Sequence, residues 1–128
     1  MLDDKVVKEL YANKLVDKNL ICMYGFSAST GFGVVGVLAS AKDYAIALCG
    51  KKVNIVAFNK SRELQLGTLI ELNPLTDKTQ AFYKKMLMGN GSKKYMCVSS
   101  TKRNYKFMIN KDDYEVADAI SWILNGNE

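Results

Sequence analysis

The sequence predicts one mainly β domain in which about seven short strands lie between an N-terminal and a C-terminal helix. Two amphipathic segments with a helical period stand at the ends of the chain, and short apolar runs separated by polar turn residues fill the middle. The chain has 128 residues, of which 48% are hydrophobic and 24% charged. Because that length supports one hydrophobic core and is short for two, we assign residues 1–128 to a single domain.

The N-terminal part of the chain predicts a helix, a strand and a hairpin. Residues 3–16 have apolar side chains at helical spacing, and Asp3 can cap the start of that helix. Residues 20–26 are apolar and rich in β-forming side chains. Residues 43–49 and 53–58 share this composition, and because a glycine and two lysines separate them, they predict a β-hairpin.

Residues 63–72 alternate between apolar and other side chains, with a period of two. This pattern predicts a strand with one buried and one solvent-facing side. Pro74 follows the strand and ends it, because proline cannot donate to a strand ladder. Glu63 and Gln65 would face solvent, and the side chains expected in the core are Leu64, Leu66, Ile70 and Leu72.

The C-terminal part predicts a meander and a closing helix. Polar turns separate three β-rich segments, which are residues 80–88, 95–99 and 105–109. Asn110 can cap the helix that follows, with Asp113 reaching back to it. Trp122 lies at the edge of the apolar face of this helix, so we predict that it is a core aromatic residue.

The chemistry-bearing side chains argue against an enzyme. Histidine is absent, which excludes imidazole bases, histidine zinc ligands and histidine-activated nucleophiles. The acid pairs Asp3-Asp4 and Asp112-Asp113 stand at predicted helix starts, where the helix dipole favours carboxylates, so we interpret them as caps. Since no spacing of Cys, Asp or Glu predicts a metal site, we expect neither metal nor catalytic residues.

The three cysteines, Cys22, Cys49 and Cys97, form no CxxC pair. Each lies among apolar residues, so we interpret each as a small buried hydrophobe in a strand. The chain also opens on Asp3 and Asp4 rather than on a basic and then apolar segment, which predicts no signal peptide. Together these features favour the reducing cytoplasm.

A glycine-rich segment matches the GxGxxG pattern of dinucleotide-binding turns. Such a site needs an acidic residue near the end of the next strand for the ribose, and Asn59 and Lys60 stand there instead. We therefore expect no nicotinamide or flavin cofactor, and a dinucleotide site stays a second alternative. The segment is more simply an apolar loop that can contact a protein partner, and consists of Gly31, Phe32, Gly33, Val34, Val35, Gly36, Val37 and Leu38.

Residues 19–41 carry no charged side chain, and a stretch of this length could cross a bilayer as a helix. Glycine, serine and threonine dilute its apolar character, and a division into strand, loop and strand agrees with the strands that follow. We therefore predict no transmembrane span, and contact of the loop with a membrane surface stays open.

One segment accounts for the positive charge of the chain, since residues 84–106 contain seven basic residues and no acidic one. They could form a face that binds anionic lipid or another polyanion, or they could be solvated lysines at turns and edges. Because the strands must also pack, only some can share one face. Arginine is scarce, which disfavours sequence-specific nucleic acid. The seven residues are Lys84, Lys85, Lys93, Lys94, Lys102, Arg103 and Lys106.

The order of elements from Asp43 to Leu124 resembles the bacterial pleckstrin-homology-like (PH-like) domains and their GRAM-type relatives. The parts that carry the resemblance are the segments Tyr44–Leu48 and Val53–Phe58, the Ile70-Glu71-Leu72 strand running into Pro74, and Tyr105–Ile109 running into the Trp122 helix. The resemblance implies an open β-barrel, which we place over residues 19–110, with one end closed by a helix over residues 111–125. The helix predicted in residues 1–18 is an extra element beyond the resemblance.

The resemblance implies a scaffold for lipid or protein contacts rather than an enzyme. Phosphoinositide-binding members carry basic residues at the first β-loop, whereas residues 27–41 contain none before the strand that starts near Lys42. We therefore expect a cytoplasmic interaction module, possible partners being another protein, a second copy of the chain or an anionic membrane surface. A protein partner at the apolar loop is favoured over a polyanion at the basic segment.

Overall fold

The structure is a computed structural model that describes residues 2–27, 42–85 and 93–127. Its helices are α1 (Asp4–Ala12) and α2 (Tyr114–Leu124). Short 3₁₀ turns at Leu66–Thr68 and Lys111–Asp113 precede the fourth strand and α2. The strands of the described residues are β1 (Cys22–Ser27), β2 (Lys42–Cys49), β3 (Lys52–Ala57), β4 (Ile70–Leu72), β5 (Gln80–Lys85), β6 (Lys93–Ser99) and β7 (Tyr105–Asn110).

These strands form one antiparallel sheet in the order β4-β3-β2-β1-β7-β6-β5. The sheet curls into a half-barrel, and its two edges are β4 and β5. Strand β1 joins the two halves, since it pairs with β2 along its whole length and with β7 through Phe26 and Ser27. The prediction of a mainly β, PH-like open barrel with a helix at each end is confirmed.

The predicted hairpin forms between β2 and β3. Its turn contains Gly50, which adopts a φ of 63°, a left-handed conformation that glycine reaches without a Cβ clash. The Gly50 N–H donates to Oδ2 of Asp17 at 3.0 Å, so the segment after α1 holds the turn in place. The backbone and side-chain N–H groups around Asp17 lower the pKa of its carboxyl, with the Gly50 N–H as the largest cause.

The inner face of the half-barrel contains the main hydrophobic core. Phe107 of β7 lies at its centre and is fully buried, with the Tyr105 ring stacked on it at 5.0 Å between centroids. Helix α2 closes one end through Ala117, Ile120 and Leu124, which follow helical spacing on one face. The last of these residues is also tied to the sheet region, because the Thr79 hydroxyl donates to the Leu124 carbonyl at 2.6 Å.

A second hydrophobic cluster lies on the outer face of the sheet. Val6 and Leu10 of α1 pack there against Ala45 and Ala47 of β2 and Val56 of β3. Strands β2 and β3 are therefore covered on both faces, by the core inside and by α1 outside. This double burial explains why their sequences are continuous apolar runs rather than alternating patterns.

Helix α1 begins as predicted and ends earlier than predicted. Its first turn is capped by Asp3, whose Oδ1 accepts the Val6 N–H at 2.9 Å. The helix stops at Ala12 rather than continuing to residue 16. The Asn13 side chain donates to the Glu9 carbonyl at 2.8 Å, and Lys14 adopts a φ of 59°, which no right-handed helix accommodates.

The prediction of a continuous strand over residues 63–72 is wrong. Leu66 lies in a 3₁₀ turn with 41% of its side chain exposed, and only β4 is paired as a strand beyond the single bridge between Phe58 and Leu64. Thr68 stabilises the turn, because its hydroxyl accepts the Ala57 N–H at 2.9 Å and donates to the Gln65 carbonyl at 2.7 Å. This side chain replaces the strand partner that Ala57 would otherwise need.

Two predictions for the C-terminal helix are also wrong. Trp122 was predicted in the core but is 57% exposed, because the buried face of α2 contains Ile120 and Leu124 and does not include Trp122. Neither Asn110 nor Asp113 makes a side-chain capping bond, since a 3₁₀ turn intervenes before α2. Asp113 is instead buried near Cys22, and burial together with this negative charge raises the pKa of the Cys22 thiol.

Candidate binding surface

Several predicted sites fall on parts of the chain that the structure does not describe. The apolar loop Gly31–Leu38 with its GxGxxG pattern lies outside the described residues, and so does the turn at residues 89–92. Within the described ranges, no helix is long and apolar enough to cross a membrane. The same ranges contain no cluster of three or more Cys, Asp or Glu side chains that could hold a metal ion.

The outer face of β5, β6 and β7 carries part of the basic segment. Because successive side chains of a strand point to opposite faces and Met96 and Phe107 point into the core, their neighbours point outward. In register, Tyr95 of β6 lies between Lys84 of β5 and Met108 of β7, and Cys97 of β6 lies between Phe82 of β5 and Lys106 of β7. We name this surface the lysine–aromatic face, and it consists of Phe82, Lys84, Tyr95, Lys106 and Met108.

Both rings of the lysine–aromatic face, the exposed Phe82 ring and the half-buried Tyr95 ring, have an ammonium group above them. The Lys106 Nζ lies 4.5 Å from the centroid of the Tyr95 ring, and the Lys84 Nζ lies 5.8 Å from the centroid of the Phe82 ring. Such cation–π contacts contribute about 0.5–1 kcal/mol at exposed sites. The Phe82 side chain is 49% exposed, so the pairs present both apolar area and positive charge to solvent.

Lys94 lies on the other side of the sheet, toward α2. Its Nζ is 4.1 Å from the Tyr83 ring centroid and 4.4 Å from the Tyr114 ring centroid, so two rings hold it. The Tyr83 hydroxyl donates to Asp118 of α2 at 2.6 Å, and burial together with this bond raises the pKa of Tyr83. Lys94 thus stabilises the contact between sheet and helix rather than contributing to the lysine–aromatic face.

Lys102 and Arg103 lie in the turn between β6 and β7. The Lys102 ammonium donates to the Glu71 carbonyl at 2.6 Å and lies 3.4 Å from Oδ2 of Asp77. It therefore connects this turn with the end of β4. The Arg103 guanidinium lies 5.4 Å from the Tyr105 ring, whose side chain belongs to the inner core. Lys85 and Lys93 pair in the backbone with Lys94 and Asn110.

Asp77 links three backbone segments at this end of the barrel. Its Oδ2 accepts the Asn73 N–H at 2.7 Å, and its carbonyl accepts the Thr101 N–H at 2.8 Å. The Asn73 N–H is the largest cause that lowers the pKa of the Asp77 carboxyl, and Lys102 lowers it further.

Because this pKa is lower in the folded state, Asp77 should stabilise the protein above the ordinary aspartate pKa and lose that effect as the pH falls below about 4. We expect Asp77→Asn to have a lower Tm than the wild type at neutral pH, and the difference to shrink on acidification. Thermal unfolding by circular dichroism at several pH values would measure this. The control is Asp112→Asn, because Asp112 is exposed. A difference in Tm between Asp77→Asn and the wild type that stays constant from neutral to acid pH would contradict a stabilising role of the ionised Asp77 carboxyl.

The free edge of β5 is partly occupied by the segment after α2. The Asn125 side chain accepts the Ala81 N–H at 2.8 Å and donates to the Ala81 carbonyl at 3.0 Å, as a neighbouring strand would. A side chain therefore covers the edge where an added strand would bind.

Sequence reasoning found the lysines of the lysine–aromatic face but missed Phe82 and Met108 as their companions. The signal was present, because residues 80–88 were predicted as a strand and Phe82 and Lys84 are two positions apart on it. What was missing was the direction of the core, which depends on where α2 packs.

No protein-family model, curated protein or solved structure matches this chain. Its class is therefore defined by its fold and surface: a small, mainly β domain with a curled half-barrel sheet, whose β5–β7 half presents the lysine–aromatic face.

Proposed function

We propose that this chain is a non-enzymatic interaction module that binds an acidic segment of a protein partner on its lysine–aromatic face. The observation that carries the proposal is the pairing of both rings of this face with ammonium groups, the exposed Phe82 with Lys84 and the half-buried Tyr95 with Lys106. A carboxylate of the partner can approach the ammonium groups while an adjacent apolar side chain packs on the rings.

The distribution of charge favours a protein over a nucleic acid or a membrane. Polyanions are held by many cations in a row, and their affinity grows with the number of phosphates neutralised. Of the basic segment, Lys94 is held between two rings and Lys102 is paired with Asp77. The lysine–aromatic face combines two lysines with Phe82, Tyr95 and Met108, a mixture that suits an acidic and partly apolar peptide.

The partner is expected to lie across the face rather than to extend the sheet. Added strands need free N–H and C=O groups at an edge, and the Asn125 side chain bonds both groups of Ala81. Side-chain contacts with the outer rings would then supply most of the affinity.

Binding can be tested with a short fluorescent peptide of alternating glutamate and leucine, by anisotropy at low and physiological salt. Polyuridine RNA and phosphatidylserine vesicles are the competing probes. We expect saturable peptide binding, and roughly tenfold weaker affinity for the Lys84→Glu/Lys106→Glu variant, because the peptide carboxylates lose their partners.

The matched control is Lys5→Glu/Lys60→Glu, which changes the net charge equally at exposed positions away from the β5–β7 half. Equal weakening in both variants would show nonspecific charge attraction and would overturn the proposal. Stronger retention on RNA or vesicles than on the peptide, lost in Lys84→Glu/Lys106→Glu, would replace the protein partner by a polyanion.

We also propose that the chain is related to the bacterial PH-like domains that it resembles and that it acts in the cytoplasm. The strand order with β1 joining two halves and α2 closing one end supports the resemblance. The cysteines support the location, since Cys22, Cys49 and Cys97 are all free thiols. The apolar loop Gly31–Leu38, which lies outside the described residues, stays the alternative predicted site for a protein partner.

A further inference from the structure

A cavity of about 240 Å³ lies on the outer side of the sheet, away from the lysine–aromatic face. It is enclosed by the start of α1, by β1 and β2, and by the turn that follows Phe58. Pockets for drug-sized ligands occupy about 300–1,000 Å³, so this cavity suits a smaller metabolite. Leu2, Val6 and Phe58 form its apolar wall.

The lining of the cavity also contains two acids and a tyrosine, which are Asp3, Asp43 and Tyr24. The Tyr24 hydroxyl donates to Oδ1 of Asp43 across the β1–β2 pair. Burial, with this bond as the second cause, raises the pKa of Tyr24 to about 12, so the hydroxyl stays protonated at neutral pH. Among the described residues, Oδ2 of Asp43 has no hydrogen-bond donor, whereas Asp3 is already engaged in capping α1. Within the part of the chain that the structure describes, Oδ2 is therefore the Asp43 oxygen that can accept a hydrogen bond from a cationic group.

A tightly hydrogen-bonded turn brings Arg62 into the lining of the cavity. Oδ1 of Asn59 accepts the N–H groups of Ser61 and Glu63, each at 2.9 Å, and the Asn59 carbonyl accepts the Arg62 N–H at 3.0 Å. This network holds Arg62 at a φ of 61°, a left-handed conformation that costs free energy for any residue except glycine.

The Arg62 guanidinium forms no salt bridge with any described carboxylate. Its planar N–H groups are therefore available to an external carboxylate, which they can bind through two parallel hydrogen bonds.

We propose that this cavity binds a free α-amino acid with an apolar side chain. Arg62 would bind the ligand carboxylate, Asp43 would bind its ammonium group, and Leu2, Val6 and Phe58 would contact its side chain. The Arg62 cation and the Asp43 carboxylate in the lining match the two charged groups that an α-amino acid carries on one carbon atom, and the apolar lining residues match its side chain. This inference does not depend on the peptide site proposed above.

Titration calorimetry with leucine and phenylalanine would test the site, with isocaproate and isoamylamine as probes that keep the leucine skeleton but only one of its charged groups. We expect the amino acids to bind and each single-charge probe to bind at least about tenfold more weakly, because one charge-assisted hydrogen-bonding partner is lost.

Arg62→Gly is the decisive variant. Glycine fits the left-handed backbone, so the protein should stay folded with an unchanged or higher Tm, while affinity for leucine should fall by about tenfold or more. Arg103→Gly removes the other arginine of the chain and should leave the affinity unchanged. Absence of binding by both amino acids, equal binding of isoamylamine and leucine, or unchanged affinity of a folded Arg62→Gly variant would each overturn the proposal.

Discussion

Replacing Phe107 by alanine is expected to lower the free energy of unfolding by about 3–5 kcal/mol. The side chain is fully buried at the centre of the half-barrel, stacked on Tyr105 and in edge contact with Tyr44 at 5.6 Å between ring centroids. Backbone Gly25 fits beneath it, since a Cβ there would lie 3.1 Å from Cδ1 of Phe107. Because the neighbouring aromatic rings are held in place, they cannot move in to fill the cavity that Phe107→Ala creates. The loss in unfolding free energy should therefore lie near the upper end of this range. Urea denaturation would measure it.

Phe82→Ala is the matched control for Phe107→Ala, because it removes the same ring from the other face of the same half of the sheet. The Phe82 ring is 49% exposed and contacts Lys84, so its loss should cost about 1 kcal/mol or less. Similar costs for the two variants would contradict the assignment of inner and outer faces. Phe82→Ala should also weaken binding of the acidic peptide, which separates its effect on function from its effect on stability.

Leu72→Ala is expected to lower the free energy of unfolding by about 2–5 kcal/mol. Leu72 is fully buried at the sheet edge, where β4 pairs it with Val53. Truncation would leave a cavity between β4 and the core, and the short strand offers few other contacts to hold it. Thermal and urea unfolding of the variant would measure the loss.

Leu66→Ala is the matched control for Leu72→Ala, and it distinguishes the observed 3₁₀ turn from a continuous strand. Leu66 is 41% exposed in the turn, so its truncation should cost about 0.5 kcal/mol or less. A loss for Leu66→Ala close to that of Leu72→Ala would instead support the strand that the alternating sequence predicted.

Local signals in the sequence predicted the helices and most strands. Asp3 and the apolar spacing behind it marked α1, and the glycine turn between two apolar runs marked the β2–β3 hairpin. The alternating pattern over residues 63–72 predicted a continuous strand, and that prediction was wrong. A period of two reflects only which residues are apolar, and it cannot show that the Thr68 hydroxyl accepts the Ala57 N–H across the turn. No sequence motif indicated the cavity beside the turn from Phe58 to Glu63. Its polar lining residues Tyr24, Asp43 and Arg62 are far apart in the sequence, so no local pattern contains them together.

Composition and charge pattern establish a mainly β domain without histidine chemistry, with its positive charge concentrated in one segment. Local patterns indicate where most helices and strands form, because capping, turn preference and hydrophobic period act over a few residues. The folded arrangement was needed to show which lysines share a face with aromatic rings and that Arg62, Tyr24 and Asp43 line one cavity. Those placements depend on strand register and on where α1 and α2 pack, and both are fixed by contacts between residues far apart in the chain.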